Sequence, residues 1–476
     1  MKSHAMTHGL FFLALLFSML CLTAPALTST LSAATGMTTG ISLPGTPGLM
    51  AEATATPAFE LSTLQPQGTF QIFLPIICKR PDKYYVDSVN GSDSNPGTSE
   101  ARPWKTLSPV HAYFFQPGDT IYFKRGSRWT GGLVINDSGE EGRPITFKAY
   151  GEGDRPIFEN PGGHVITIDA DWIVLEDILV RNGRYGGVLI KDNSEHNIVR
   201  NIEVTNVSTG IWVSGPNNLI THNYIHDLAK PPTDIARGIG VYNRNLEISY
   251  NTLTRIPMAA NPDGNRTDGN PFELFAYIDN AYIHHNYVYD TAGFAEVGAN
   301  WGNGSARNVT FAYNLSVNNH KRFQTIHTAG RWATHIANYR VENNTIVEIR
   351  ERAPWKFAVM GFPDAPPPSN EFILRNNIFY VDYVWQVADI RTSAFIHDHN
   401  LYDLLDHTDH RVGFDLGTGE LVADPLFVHV PGNDFHLQAG SPARDAGVNL
   451  GYSLDFENKP VPAGGAPDMG AFEYTE

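Results

Sequence analysis

The sequence predicts an all-β solenoid, on three observations. The first is a recurring pattern between Asp177 and Asn400: a polar residue, usually Asn, followed by an alternating apolar stretch. Its Asn examples are Asn201 (RNIEV), Asn223 (HNYIH), Asn251 (YNTLT), Asn286 (HNYVY), Asn314 (YNLSV), Asn344 (NNTIV), Asn377 (NNIFY) and Asn400 (HNLYD). Subtraction gives steps of 22, 28, 35, 28, 30, 33 and 23 residues. A period in this range with one short strand per unit marks rungs that bury their apolar faces only by stacking. The second observation is the abundance of turn residues, 43 Gly and 31 Pro, as a many-stranded chain needs. The third is that 42% of residues are hydrophobic and 18% charged, enough for a large core.

Residues 1–26 read as a secretory signal peptide. Lys2 and three His or Thr residues precede the apolar run Leu10–Leu22, and Ala24-Pro25-Ala26 has the small-x-small form of a cleavage site. The run is short and poorly flanked for a membrane span, an uncleaved anchor being the alternative, so no span is expected in the mature chain. Removal of the signal takes Cys21 with it and leaves Cys78 alone, which excludes a disulfide framework and a Cys-based metal site. Residues 27–68, rich in Thr, Ser, Ala, Pro and Gly, read as a disordered spacer or stalk. Residues 69–476 are assigned to the solenoid, with Phe70–Ile77 a first strand or cap and the main fold starting at Tyr84. The net charge of −16 excludes nucleic acid as a partner, since phosphate binding needs a cationic face. It also disfavours a strongly polyanionic substrate unless a cation bridges it.

The segments YYVDSVNGSDSNPGTSEARPWKTL, at the start, and GSPARDAG with PDMGAFEY, at the end, resemble the recurring ends of secreted carbohydrate-active proteins built as right-handed parallel β-helices. That class includes pectate lyases, alginate lyases and β-helix glycosidases. The resemblance spans roughly residues 84–474. It implies a right-handed parallel β-helix and a glycan partner, and leaves the reaction open because one scaffold hosts several chemistries.

Each rung carries a second strand: Gly187-VLIK, Gly210-IWVS, Gly238-IGVY, Pro271-FELF, Phe294-AEVG, Phe323-QTIH, Phe357-AVMG and Trp385-QVAD. Period-two alternation turns Ile190, Val213, Val241, Leu274, Val297, Ile326, Met360 and Ala388 inward. It turns Leu189, Trp212, Gly240, Glu273, Glu296, Thr325, Val359 and Val387 outward. Glu273 and Glu296 therefore fall side by side on consecutive rungs, about 4.8 Å apart. Like charges opposed across strands destabilise a sheet. The pair is thus an acid/nucleophile couple with split pKa values, a Ca²⁺ site, or a solvated pair neutralised by Arg237, Lys321 or Arg331.

In the next outward column His327 lies one rung from Glu296, with Lys191, Ser214, Tyr242, Phe275, Gly298, Gly361 and Asp389. Trp212 and Tyr242 precede the pair and Trp301 and Trp332 follow it; outward rings beside carboxylates suit sugar faces, and packing against loops is the bland alternative. The expected site is Glu273, Glu296 and His327 as catalytic residues, with Trp212, Tyr242, Asn300, Trp301, Thr325 and Arg331 binding substrate. No metal or cofactor is required in this reading, though Ca²⁺ is compatible with it. The insertion Ile256–Asn270 is expected to form a wall or lid. Its Asp263, Asn265 and Asp268, like His284-His285 and His397-Asp398-His399, are read as turn formers rather than metal ligands. The ladder Asn residues are read as scaffold.

The leading functional expectation is an extracellular or cell-surface glycoside hydrolase acting on polysaccharide or oligosaccharide. A carboxylate pair at this spacing fits a retaining mechanism, and the resemblance to β-helix glycosidases such as certain β-xylosidases implies acids on neighbouring rungs. The alternatives are a Ca²⁺-dependent lyase of uronate glycans, using Lys321-Arg322, Arg331 or Arg237, and a non-catalytic glycan-binding surface protein.

Overall fold

The structure, a computed structural model, describes residues 80–228, 236–257, 269–300, 304–319, 322–349, 358–362, 365, 371–382, 386–388, 395–405 and 412–476. All of them lie in one unit, residues 77–476. Among them three long parallel sheets of twelve, ten and twelve strands run the length of a β-helix, each rung contributing one short strand to each sheet. The strands are two to six residues long because each face of the coil turns after that distance. Their inward positions (Ile121, Leu175, Val213, Ile248, Phe272, Ile326) stack into one continuous apolar column.

The corners explain the Asn pattern. Asn223, Asn251, Asn286, Asn314, Asn344, Asn377 and Asn400 form a buried ladder. In each step the backbone N–H and the side-chain amide of one Asn both donate to Oδ1 of the next, at 2.9–3.0 Å. An inward corner strips its backbone groups of water, so each needs an internal partner. Asn201 is not a rung of this ladder. Glu203 pairs with Tyr224, which puts Ile202 in the ladder slot, its N–H donating to Asn223 Oδ1 at 3.1 Å. Asn201 instead occupies the preceding left-handed corner (φ +50°) with His222, Tyr250, His285, Tyr313, Asn343, Asn376 and His399, all at φ between 50° and 57°. Asn tolerates this conformation far better than most residues, which is why the two slots look alike in sequence. A second, outer ladder of Asn217, Asn245, Asn280, Asn308 and Asn338, with amide bonds of 2.8–2.9 Å, was not foreseen.

The C-terminal segment runs back over these corners. Gly470 N–H donates to Asn376 O, Tyr452 OH to Glu342 Oε2, Tyr250 OH to Asn458 Oδ1, and His285 Nε2 to Asp455 O. Phe427, Phe435, Leu437, Met469 and Phe472 form a second apolar cluster against the outside of the third sheet.

Candidate active site

The site lies on the ten-stranded sheet, whose strands are Leu133–Ile135 (β1), His164–Ile168 (β2), Gly186–Ile190 (β3), Thr209–Val213 (β4), Arg237–Val241 (β5), Asn270–Phe275 (β6), Ala295–Gly298 (β7), Gln324–Ile326 (β8), Ala358–Gly361 (β9) and Gln386–Ala388 (β10). Direct register partners carry the outward column through Leu189, Trp212, Gly240, Glu273, Glu296 and Thr325. Glu273 and Glu296 thus sit opposite each other on β6 and β7, in the expected order. The next step departs from expectation. Thr325 pairs with Gly361, and Gln324 with Met360. The chain slips by two residues, which preserves face parity but moves Val359 and Val387 into the apolar core.

The two carboxyls have unlike surroundings. Glu296 is held at both oxygens: Asn270 Nδ2 donates to Oε2 at 2.6 Å and His327 Nε2 lies 3.0 Å from Oε1. Glu273 is buried, only 4% exposed. Its Oε1 receives the Tyr242 hydroxyl at 2.9 Å and an ion-pair contact from Arg237 Nε at 2.7 Å. Its Oε2 is buried with no hydrogen-bond partner among the described residues. Burial pushes the Glu273 carboxyl up to about 7; Arg237 pulls against this, the neighbouring Glu296 charge adds to it, and the Tyr242 bond opposes. A group in this state is about half protonated near pH 7, and Oε2 is its oxygen without a hydrogen bond among the described residues.

Trp212 stacks on Tyr242 with centroids 4.8 Å apart and planes at 13°. The Arg237 guanidinium lies 5.7 Å from the Trp212 ring, so a stacked wall aims both donors at Glu273. Tyr242 is therefore a hydrogen-bond donor to the pair, and its face is engaged by Trp212. Thr325 is half-buried beside Glu296; Asn300 is exposed just past β7. Arg331 is exposed with its guanidinium 5.5 Å from the Trp332 ring, and Trp332 lies 5.7 Å from His327. Trp301, Lys321, Asp389 and the insertion residues Asp263, Asn265 and Asp268 fall outside the described residues.

Asn270 was missed as a site residue. It closes the long insertion and reads as a turn Asn, and only its register with Arg237 shows that it faces the glutamates. Of the residues read as turn formers, His285 and His399 sit at left-handed corners, whereas His284, His397 and Asp398 lie in strands; His284 Nδ1 lies 2.7 Å from His285 Nδ1, His397 Nδ1 2.9 Å from Glu420 Oε2, and His399 Nδ1 2.9 Å from Asp398 Oδ1.

Known proteins share this scaffold. The family described as right handed beta helix region matches residues 131–267 and 165–346. The crystal structure of pectate lyase Pel9A superposes over 83% of this chain and 96% of its own, with a TM-score of 0.56 at 17% identity. The fold is a right-handed parallel β-helix. A Bifidobacterium longum protein named lacto-N-biosidase is 32% identical over 135 residues, 27% of this chain and 8% of that protein. The uncharacterized protein YwoF of Bacillus subtilis is 30% identical over 148 residues, 29% of this chain and 27% of that protein. The chain thus spans less than a third of the length of the curated relatives it matches.

Proposed function

We propose that the protein is a glycoside hydrolase that cleaves oligosaccharide or polysaccharide at the Glu273/Glu296 pair with retention of configuration. The observation that carries this reading is the pairing of two glutamates in direct register with opposite environments. Strands about 4.8 Å apart bring the carboxyls near the roughly 5–5.5 Å separation of retaining enzymes. Glu296, fixed at both oxygens, is the nucleophile: it attacks the anomeric carbon as Glu273 gives its proton to the leaving oxygen. Glu273, now a carboxylate, then takes a proton from the water that hydrolyses the glycosyl ester. His327 and Asn270 act through Glu296 and are positioning residues. The partial likeness to a protein named lacto-N-biosidase supports glycosidic chemistry without naming the sugar.

A Ca²⁺-dependent lyase fits the same residues less well. A cation between the carboxylates would displace Arg237 from Glu273 and compete with Asn270 and His327 for Glu296. Secretion belongs to the same reading, supported by the signal-like residues 1–26 and the spacer after them.

The test is incubation of the protein and its Glu273→Gln and Glu296→Gln variants with plant and bacterial polysaccharides, with and without EDTA. Reducing ends without absorbance near 235 nm, lost in both variants, are expected. An unsaturated product abolished by EDTA supports the lyase, binding without turnover supports a glycan-binding protein, and full activity in both variants removes the site.

A further inference from the structure

The ten-stranded sheet extends well beyond the glutamates on its N-terminal side. Direct register partners continue the glutamate column from Glu273 back through Gly240, Trp212, Leu189 and Thr167 to Val134 on β1. None of these residues before Glu273 is charged. Val134 is exposed, and Thr167, Leu189 and Trp212 are part-exposed. Lys191, in the neighbouring outward column, is neutralised by Asp169 at 2.7 Å. Five steps of about 4.8 Å put Val134 roughly 24 Å from Glu273, a distance several sugar rings long.

A cavity of about 420 Å³ opens at that end, within the size range of small-ligand pockets. Its lining includes Leu107, Ser108 and His111, around the short helix α1 (Ser108–Ala112), and Trp129, Thr130 and Gly131, on the chain that enters β1. His111 ties the cavity to the column: its Nε2 accepts the backbone N–H of Val134 at 3.3 Å. A ring nitrogen that accepts is unprotonated, and partial burial holds the His111 pKa below the usual histidine value. The imidazole is therefore neutral and carries its proton on Nδ1. The floor is apolar and fixed. Leu107 and Trp129 are buried; the Trp129 indole N–H donates to Lys105 O at 3.0 Å, and its ring stacks on Phe158 with centroids 5.2 Å apart. Gly131 has φ +123° and nothing within 4 Å of the place a Cβ would take; its backbone calls for glycine, and the space over it is open. Each cation at the rim stands by an acid. Arg128 Nε donates to Glu159 at 2.6 Å, and the Lys105 and Thr106 backbone N–H groups donate to Asp93 Oδ1 at 2.8 and 2.9 Å. An apolar floor ringed by hydroxyls, with its charges balanced, suits the face and edge of an uncharged sugar ring.

We propose that this cavity is a distal subsite that holds one sugar residue of a long neutral glycan running along the sheet from Val134 to the Glu273/Glu296 pair. The substrate is then a polysaccharide rather than a short oligosaccharide. The role of the subsite in turnover rests on the hydrolase reading; its position rests on the register and the cavity alone.

The test uses the full chain and neutral oligosaccharides from disaccharide to decasaccharide, in the cello, xylo, arabino and galacto series. Calorimetry on Glu296→Gln, which stops turnover, reads binding; kcat/KM of the unmutated chain reads cleavage. Affinity is expected to step up once the glycan is long enough to reach the cavity. Adding Thr130→Trp, or Ser108→Trp from the α1 side, fills the cavity and lowers the long-to-short affinity ratio by about tenfold, the scale of one or two hydrogen bonds. Thermal melts check that each variant folds, and filling from two sides keeps the test decisive if one variant does not. Uronate-bearing oligosaccharides of equal length should bind no more tightly than neutral ones. Binding that ignores length, binding of no oligosaccharide, tighter binding of the uronate series, or an unchanged ratio in both filled variants overturns the proposal. Cleavage that ignores length sinks the distal subsite alone, whereas length-dependent binding that is lost on filling, without cleavage, sinks the hydrolase reading and leaves the subsite standing.

Discussion

Glu273 and Glu473 are both buried glutamates whose carboxyls are pushed up to about 7, chiefly by burial. One sits on the outer face of the ten-stranded sheet, the other in the C-terminal segment. Glu473 is saturated by backbone: Oε2 accepts Ala463 N–H at 2.8 Å and Oε1 accepts Asp468 N–H at 3.0 Å. Buried Asp468 and Asp455 nearby add to its shift. Glu273 has one oxygen served by side chains and one unpartnered among the described residues, and it faces another glutamate in register. The difference teaches that a raised pKa by itself marks burial. An unsatisfied oxygen aimed beside a second, well-held carboxylate is what marks chemistry.

Substitution separates the two most sharply. Glu296→Gln is expected to lower kcat on the order of 10⁴-fold, and Glu273→Gln on the order of 10²–10⁴-fold, the latter recovering on substrates with good leaving groups. Steady-state kinetics on any glycan cleaved by the wild type reads both. Glu473→Gln should leave kcat within about twofold and instead lower stability by roughly 1–3 kcal/mol in denaturant titrations at pH 5, because one backbone N–H faces an amide nitrogen. If Glu473→Gln abolished turnover with stability intact, the contrast between the two glutamates would collapse.

Both groups tie stability to pH in the same direction. Their folded pKa values lie above the ordinary glutamate value of 4.5, so between about 4.5 and 7 the folded state binds more protons at these groups than the unfolded one. The contribution of these two groups to stability is therefore fullest below about 4.5 and is lost as pH rises through 7. Thermal melts from pH 4.5 to 7.5 should show this slope, flattened by Glu473→Gln. The smallest expected effect is that of Tyr242→Phe. It removes a bond that holds the Glu273 pKa down, so the alkaline limb of kcat/KM should move up by about one pH unit or less.

Much of the fold is legible in sequence because the solenoid repeats one corner solution. Seven of eight ladder positions carry the buried Asn, and period-two alternation finds the inward column. The Asn201 position is misread because the left-handed corner accepts Asn, His and Tyr as readily as the ladder accepts Asn. The register at β9 is misread because Phe357 imitates Phe323, while the strand is aligned by Gln324 against Met360. The Glu273/Glu296 pairing is visible because it lies between two unslipped rungs. Of its supports, Arg237 is among the neutralising cations the sequence offers and does pair with Glu273, whereas Asn270 is not visible, because it acts diagonally across rungs and a diagonal contact leaves no periodic trace in the chain.

The most direct test of the account is a ¹³C-carboxyl NMR titration of Glu273 in the wild type and in Glu296→Gln. Glu273 should titrate at about 7 in the wild type and at a lower pH once the neighbouring charge is gone, while Glu473 stays where it was. A Glu273 that titrates at the ordinary glutamate value, or that ignores the loss of Glu296, would contradict the reading of these two residues as an acid and nucleophile pair.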